Sequence, residues 1–205
     1  MMKSRWLIAG FALAFATGNV MATEEADYDV VVAEDKLEIR QYAPQVVAEV
    51  IVNDDFEDAG NAAFRKLFKY ISGNNTSNEE IAMTAPVSQE KAGEKIAMTA
   101  PVSQRAEGDS WAVSFMMPAE YTMETIPTPS DPEVAIRAIP AQRMAAIRFS
   151  GRWKAKNYDK HLEELMAWVE TKGLEVIGEP VWARYNAPFV PWFMRRNEIL
   201  LPVAE

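Results

Sequence analysis

The chain has 205 residues, enough for one domain with a substantial core, and its formal net charge is −9 at pH 7. It contains no cysteine, which excludes disulfides, thiolate metal sites and a catalytic cysteine. Its acidic residues are dispersed and it has no basic block, so nucleic acids and anionic membranes are poor candidates as partners.

The first 22 residues are predicted to be a secretory signal peptide, with a retained amino-terminal anchor as the alternative. Lys3 and Arg5 precede an apolar run over residues 6–16 that is too short to span a membrane. Residues 20–22, Val-Met-Ala, place small residues at the two positions that a signal peptidase reads. Cleavage would leave residues 23–205 as one domain with a net charge of −11. Export without disulfides fits a bacterial periplasm.

The first half of this domain, residues 27–120, is predicted to begin with strands. Residues 28–42 contain two short strands around a turn at 34–36, and β-branched side chains favour another strand over residues 46–52. A helix and a repeated phrase follow. Residues 111–117 then form a further strand.

The helix is predicted to start after residues 53–55, whose side chains can cap it. Small and apolar residues then recur at helical spacing and cover about 100° of the helical wheel. Phe68 lies just outside this stripe, beside Asn61, and Gly73 is expected to end the helix. The stripe consists of Phe56, Gly60, Ala63, Phe64, Leu67 and Ile71.

A nine-residue phrase, Ile-Ala-Met-Thr-Ala-Pro-Val-Ser-Gln, occurs twice, at residues 81–89 and 96–104. Each copy alternates apolar with other residues, which is typical of a half-buried strand. Residues 90–95 are polar and include a glycine, so the two copies are predicted to form a hairpin. Pro86 and Pro101 cannot donate to a ladder and are expected at strand ends or on an edge.

A proline-rich loop over residues 121–131 is the predicted junction with the second half, residues 133–203. That half is predicted to repeat the order strand, strand, helix, strand, strand. Its predicted strands cover residues 134–139, 143–149, 181–185 and 197–201, and a further short strand is predicted at 175–177, directly after the helix. Its helix, which Asn157 or Asp159 can cap, has a stripe consisting of Tyr158, Leu162, Leu165, Met166 and Val169.

The order of the elements predicts the class of fold. Each half has one long helix among short strands, and two such units usually pair about a pseudo-twofold axis. We therefore expect an α+β domain in which both helices pack against a strongly curved antiparallel sheet.

The common catalytic motifs are missing from the sequence. It has no phosphate loop, no glycine-rich dinucleotide turn and no nucleophile elbow. His161 is the only histidine, which excludes a two-histidine zinc site. It lies on the flank of the second helix, which favours a solvated boundary residue over a ligand or a base. The residues therefore do not predict an enzyme.

An apolar loop covers residues 185–194 and is stiffened by Pro188 and Pro191. Its apolar residues do not alternate, so one strand face cannot bury them all. Such a loop either plugs a core or lines a groove for a ligand, and the residues alone leave both interpretations open. The apolar side chains are Phe189, Val190, Trp192, Phe193 and Met194.

Several phrases, in the right order over nearly the whole domain, resemble the SOUL haem-binding proteins. The doubled Ala-Met-Thr phrase is similar to the bacterial and plant branch of that family. The other phrases are residues 28–42, 64–73 and 111–118, Tyr-Thr-Met-Glu-Thr-Ile-Pro at 121–127, Ile-Arg-Phe-Ser-Gly at 147–151 and Arg-Arg-Asn-Glu at 195–198.

The resemblance implies a distorted antiparallel β-barrel of two similar halves that binds haem b or another tetrapyrrole non-covalently. It implies a carrier, buffer or scavenger rather than an enzyme. The exposed apolar groove would lie between the first helix and the loop ahead of the Arg-Arg-Asn-Glu phrase. The implied helix side is Asn61, Phe64, Arg65, Phe68 and Ile71, and the implied loop side is Phe189, Val190, Trp192 and Met194.

The chain departs from the family at two points. Some members use a histidine near the first helix as axial ligand, and this chain has none there. His161 is not expected to bind iron, which leaves the Met194 thioether as a weak candidate donor. Val190 replaces a basic loop residue that could meet a propionate, so the candidate replacements are Arg65, Arg195 and Arg196. Modest affinity is therefore expected.

A second function stays open beside haem binding. Similar two-repeat folds bind varied ligands, and a fold does not fix a function. The alternative is an enzyme or sensor that acts on a different apolar small molecule.

Overall fold

The computed structural model describes residues 23–78 and 93–204. Over these residues the protein is α+β, with two helices and a strongly curled antiparallel half-barrel sheet. The proposed signal peptide and the first copy of the repeated phrase lie outside the described residues.

The helices and strands have the following bounds. The helices are α1 (Phe56–Ile71) and α2 (Ala155–Thr171), and a short 3-10 helix covers Trp192–Met194. The first strands are β1 (Tyr28–Glu34), β2 (Leu37–Tyr42), β3 (Gln45–Val52), β4 (Asn75–Thr76), β5 (Val102–Glu107) and β6 (Ser110–Met116). The later strands are β7 (Thr128–Pro129), β8 (Ala135–Ile139), β9 (Gln142–Phe149), β10 (Val181–Arg184) and β11 (Asn197–Pro202).

Nine strands form one sheet in the order β1-β2-β9-β11-β10-β5-β6-β3-β8, and β4 pairs separately with β7. Strand β2 pairs with β9, whereas β8 pairs with β3. Each half of the chain therefore contributes one strand to the sheet segment of the other half.

Helix α1 forms where the periodicity predicted it and packs on β3 and β6. The predicted stripe is largely confirmed, and Tyr70 is an additional buried member because its hydroxyl donates to the Pro127 carbonyl at 2.8 Å. Phe64 is only partly buried and Phe68 is 48% exposed, so this flank of the helix leaves apolar surface uncovered. Gly73 follows the helix with φ of 110°, a conformation that favours glycine.

Helix α2 starts at Ala155, with Lys154 at the N-cap, so the prediction of a cap at Asn157 or Asp159 is wrong. The Asn157 side chain instead lies inside the first turn and donates to the Arg152 carbonyl. Met166 is also wrongly placed in the stripe, because it is 51% exposed. The helix packs on β9 and β11 through a narrower face, whose fully buried members are Tyr158, Leu165 and Val169.

The second copy of the repeated phrase becomes a strand only at Val102. Pro101 directly precedes that strand, which confirms its expected position at a strand end. The predicted hairpin between the copies needs residues 81–92, which lie outside the described residues, and β5 itself pairs with β10 and β6. The predicted strand at 175–177 is wrong, since it forms only one bridge, Val176 to Val203.

An aromatic cluster joins the packing of the two helices. The Phe56 ring lies at the start of α1 and contacts the rings of Trp111, Tyr158 and Trp182 at centroid distances of 5.3, 5.3 and 5.2 Å. Trp111 belongs to β6 and Trp182 to β10, so the cluster spans the middle of the sheet. The two halves therefore share one continuous apolar layer beneath the helices.

The opposite face of the sheet carries a buried ion cluster around Glu198. Arg40 Nη1 donates to Glu198 Oε2 at 2.6 Å, and Arg196 Nε donates to Glu198 Oε1 at 2.9 Å. The Tyr185 hydroxyl adds a third hydrogen bond at 3.0 Å. Buried charges are tolerated in proteins when they are paired in this way.

Candidate functional site

A cavity of about 430 Å³ lies beside the first half of α1, and we call it the α1 groove. Its volume is within the range of roughly 300–1,000 Å³ that is usual for small-molecule sites. The groove has three walls: helix α1, the second copy of the repeated phrase, and the segment that follows β10. Its lining residues are Thr23, Gly60, Asn61, Phe64, Met98, Thr99, Ala100, Val102, Trp153, Arg184, Tyr185, Asn186, Ala187, Pro188 and Phe189.

The helix wall contains two of the five residues that the sequence assigned to it. Asn61 and Phe64 line the groove, and the Phe68 ring stacks on Phe64 at 5.8 Å and extends the apolar surface outwards. Arg65 is exposed and does not line the groove. Ile71 lies in the apolar core because it is on the inner face of α1, and it is not a wall residue.

The loop wall begins at Tyr185 and ends at Phe189, whose side chain is 89% exposed. Val190, Trp192 and Met194 do not line the groove, although the sequence assigned them to it. The chain enters the 3-10 helix after Pro191 and turns away, and Met194 reaches a separate pocket beside Phe149. The structure therefore does not bring the predicted thioether donor to the groove.

Arg195 has a structural role that the sequence did not predict. Its Nε donates to the Val190 carbonyl at 2.8 Å and its Nη2 donates to the Pro188 carbonyl at 2.6 Å. Its guanidinium also lies 4.3 Å from the centre of the Trp153 ring. The arginine that was a candidate for a propionate thus holds the aromatic loop against Trp153.

Sequence reasoning missed the third wall, which is built from the repeated phrase. Met98, Thr99, Ala100 and Val102 line the groove, and the Thr99 hydroxyl donates to the Met116 carbonyl. Met98 is exposed and supplies a thioether to the cavity. The doubling of the phrase was a visible signal, but it was attributed to strand pairing and not to a ligand wall.

Arg184 is the one charged side chain among the described residues that line the groove, and it is 9% exposed. Its Nη2 donates to Gln104 Oε1 at 2.8 Å, and its guanidinium lies 5.3 Å from the Trp153 ring centre and 5.8 Å from that of Phe56. The sequence did contain a sign of this position. Alternate residues of a strand share a face, so Arg184 lies on the same face of β10 as the buried Trp182.

The comparisons with known proteins show the family and the fold of this chain. A sequence profile of the SOUL haem-binding proteins matches residues 23–202. The chain belongs to the SOUL family. No curated protein sequence matches this SOUL chain closely enough to be compared with it.

Solved structures share the fold of this SOUL chain at low sequence identity. The C-terminal domain of EcmrR superposes with a TM-score of 0.54 and 12% identity over 87% of this chain and 98% of that chain. A hydrolase from Listeria innocua superposes with a TM-score of 0.55 and 10% identity over 85% and 94% of the two chains. Identities this low establish a shared fold and nothing about activity.

Trp153 is fixed by the Arg-Arg-Asn-Glu phrase of the SOUL chain. The Trp153 indole N–H donates to Asn197 Oδ1 at 2.8 Å, and Asn197 is fully buried. The phrase alternates along the strand: Arg195 and Asn197 support the groove side, whereas Arg196 and Glu198 form the ion cluster on the other face. The Arg-Arg-Asn-Glu phrase therefore contributes side chains to both faces of the sheet.

His161 lies outside the α1 groove, on helix α2. Its ring stacks on Phe149 at 4.1 Å, and Nδ1 lies 3.5 Å from Glu164 Oε2. Burial lowers the pKa of His161, although Glu164 opposes the shift. The residue is more buried than a solvated boundary histidine.

The described part of the chain has neither a metal-binding cluster nor a membrane-spanning helix. These residues contain no cluster of three or more His, Asp or Glu side chains that could hold a metal ion. None of the helices that they form is long and apolar enough to cross a membrane.

Proposed function

We propose that the α1 groove binds haem or a related tetrapyrrole without a covalent bond. One observation carries the proposal: in a chain of the SOUL family, a cavity of about 430 Å³ is lined by the partly buried ring of Phe64 and the exposed ring of Phe189. The Phe68 ring, 48% exposed, stacks on Phe64 and extends this apolar surface. Exposed apolar surface around a cavity is typical of a ligand site, because burying it provides the free energy of binding.

The residues of the groove fit an amphipathic planar ligand. Phe64, Trp153 and Phe189 offer aromatic faces, and Met98 is the thioether on the groove wall. A thioether is one of the side-chain groups that can occupy an axial position of haem iron. Bound haem b would supply an iron centre, whereas this chain would supply apolar burial and a weak axial donor. Affinity is then set mainly by burial.

The function that follows is binding without catalysis, as a carrier, buffer or scavenger in the periplasm. Export rests on the charged start and the apolar run of residues 1–22. The mature protein is therefore expected to begin at Thr23. Amino-terminal sequencing of the periplasmic fraction measures this, and a mature chain that still contains residues 6–16 would make the protein membrane-tethered instead.

The two halves of the fold are proposed to be related repeats. The sheet supports this through its order, because β10-β11-β9-β2 on one side corresponds to β5-β6-β3-β8 on the other. Helix α1 follows β3 and helix α2 follows β9, which are equivalent positions in that order. The α1 groove lies beside the first of these units.

Phe189→Ser is expected to weaken haem binding at least tenfold without lowering the melting temperature. Phe189 is 89% exposed, so its removal costs the fold little, but a ligand that covers it would lose about 1.5–3 kcal/mol of apolar burial. Titration with hemin, followed through the Soret band, measures the affinity, and thermal unfolding measures the stability.

The matched control is Phe193→Ser in the same loop. Phe193 is also exposed, at 61%, but does not line the groove, so its removal should leave the affinity unchanged. Equal effects of the two variants would place the ligand elsewhere. Failure of the wild-type protein to bind either hemin or metal-free protoporphyrin would favour the alternative, an enzyme or sensor for a different apolar molecule.

A further inference from the structure

We infer that the α1 groove binds its ligand through a carboxylate, and that Arg184 is the residue that pairs with it. This inference rests on the proposed function and specifies the chemistry of the ligand: an aromatic or macrocyclic body with an ionised carboxylate on its inward edge. The sequence pointed to Arg65, Arg195 and Arg196 for this role. Arg65 does not line the groove, Arg195 donates to a loop carbonyl, and Arg196 pairs with Glu198.

Arg184 is a buried cation with an incomplete set of partners. Its side chain has one hydrogen bond, from Nη2 to Gln104, and its buried Nε has no acceptor among the described residues. The Tyr158 hydroxyl faces the guanidinium without a hydrogen bond of normal geometry, and burial raises the pKa of that phenol, so it stays neutral. The hydrogen-bonding groups that the described residues place next to this positive charge, Gln104 and Tyr158, are therefore uncharged.

Among the described residues, Arg40 and Arg184 are the two buried arginines, and they differ in their partners. In the described parts of the chain, the ion-paired arginines are Arg40, Arg105, Arg137 and Arg196, which contact glutamates. Arg184 has no acidic partner there. A buried charge without a counter-charge is costly, and such cost is retained where a ligand supplies the missing partner.

Gly60 provides the space that this arginine occupies. A Cβ atom built on Gly60 would lie 2.4 Å from Arg184 Nη1, so any larger residue would displace the guanidinium. Glycine inside a helix is unfavourable relative to alanine, so its presence in α1 needs a reason of this kind. Both residues line the groove, so the guanidinium lies next to the helix wall of the cavity.

A carboxylate is the anion that matches this geometry. Arginine has five N–H donors in a planar fork, and Arg184 uses one of them on Gln104. A carboxylate pairs with the remaining fork through charge-assisted hydrogen bonds while the apolar body of its ligand contacts the aromatic walls. Propionate side chains on a tetrapyrrole have this chemistry.

The test compares protoporphyrin IX with its dimethyl ester, which keeps the macrocycle but has no negative charge. Wild-type protein should bind the free acid about tenfold or more tightly than the ester, because a buried charge-assisted pair is lost in the ester. Arg184→Met should reduce the ratio of acid affinity to ester affinity to about one, because it weakens binding of the free acid and not of the ester. Fluorescence quenching measures both affinities.

Two further variants separate a ligand contact from a general effect on charge or folding. Arg148→Met removes the same charge from an exposed position on β9 and should keep the wild-type ratio. Gly60→Ala keeps Arg184 and the rest of β10, but its added methyl group displaces the guanidinium. It should therefore lower the ratio of acid affinity to ester affinity. Gly60→Ala also gives a result if Arg184→Met does not fold.

The outcomes distinguish this inference from the proposed function. Equal binding of acid and ester by the wild-type protein would overturn the role of Arg184 and leave tetrapyrrole binding intact. An acid preference that survives in Arg184→Met would assign the carboxylate to another cation and overturn the inference as well. If neither compound binds, the proposed function itself is wrong.

Discussion

Glu198→Gln should lower the free energy of unfolding by about 3 kcal/mol, because it removes the buried carboxylate that Arg40 and Arg196 share. Each arginine then keeps only a more exposed partner, Glu38 for Arg40 and Glu25 for Arg196. Glu198 is fully buried and accepts hydrogen bonds from Arg40, Arg196 and Tyr185. Glutamine has nearly the same shape but no charge, so the change isolates the electrostatic contribution. Urea denaturation of the two proteins measures the difference.

The control is Glu107→Gln, which removes a carboxylate from an exposed ion pair with Arg105. An exposed pair contributes about 0–1 kcal/mol, so this variant should unfold almost like the wild type. A similarly small effect of Glu198→Gln would mean that water reaches the ion cluster and screens it.

The Glu198 carboxylate also makes the free energy of unfolding depend on pH, and the direction follows from its pKa. Burial alone would raise the pKa of Glu198, but Arg40 and Arg196 outweigh it and hold the pKa below its ordinary value of 4.5. The contribution is therefore fully present above that value and is lost as the pH falls through the lowered pKa. The difference in free energy of unfolding between the wild type and Glu198→Gln should therefore become smaller below about pH 4.5.

Trp182→Ala should destabilise the protein by about 3–5 kcal/mol and lower its melting temperature by about 6–20 °C. Trp182 is buried at the centre of the aromatic cluster and contacts the rings of Phe56 and Trp111 at 5.2 and 5.3 Å. Its indole N–H has no hydrogen-bond partner among the described atoms, so the loss is one of packing. Calorimetry measures both quantities.

Trp192→Ala is the matched control for that variant. Trp192 is half exposed, contacts Phe193 and lies beneath the Arg152 guanidinium. Its removal should cost much less than that of Trp182. Equal losses would show that the cluster around Phe56 does not hold the two helix layers together.

Local patterns were sufficient to predict most of the fold. The turn at Asp35 and the stripe of α1 follow from short-range periodicity, and both occur as expected. The failures involve partners distant in sequence. Val102 begins a strand that pairs with β10, about 80 residues further along the chain, and no local pattern identifies such a partner.

The candidate site was harder to predict than the fold. The resemblance to the SOUL family located α1 and the aromatic loop, and it correctly singled out Asn61, Phe64 and Phe189 as residues on the cavity. It failed beyond Pro191, because the chain turns into a 3-10 helix whose direction no periodicity encodes. Arg184 was overlooked because one charged residue at the end of an apolar strand suggests a surface position.

The exchange of strands between the halves has a consequence for how the protein reaches its native state. Tyr42 on β2 pairs with Gln142 on β9, and Gln45 on β3 pairs with Ile139 on β8. These partners are roughly 100 residues apart, and closing such long loops slows folding relative to proteins with local contacts. An amino-terminal half that has just been synthesised would expose the unpaired edges of β2 and β3, which are prone to association. The sheet therefore cannot close until β9 is available.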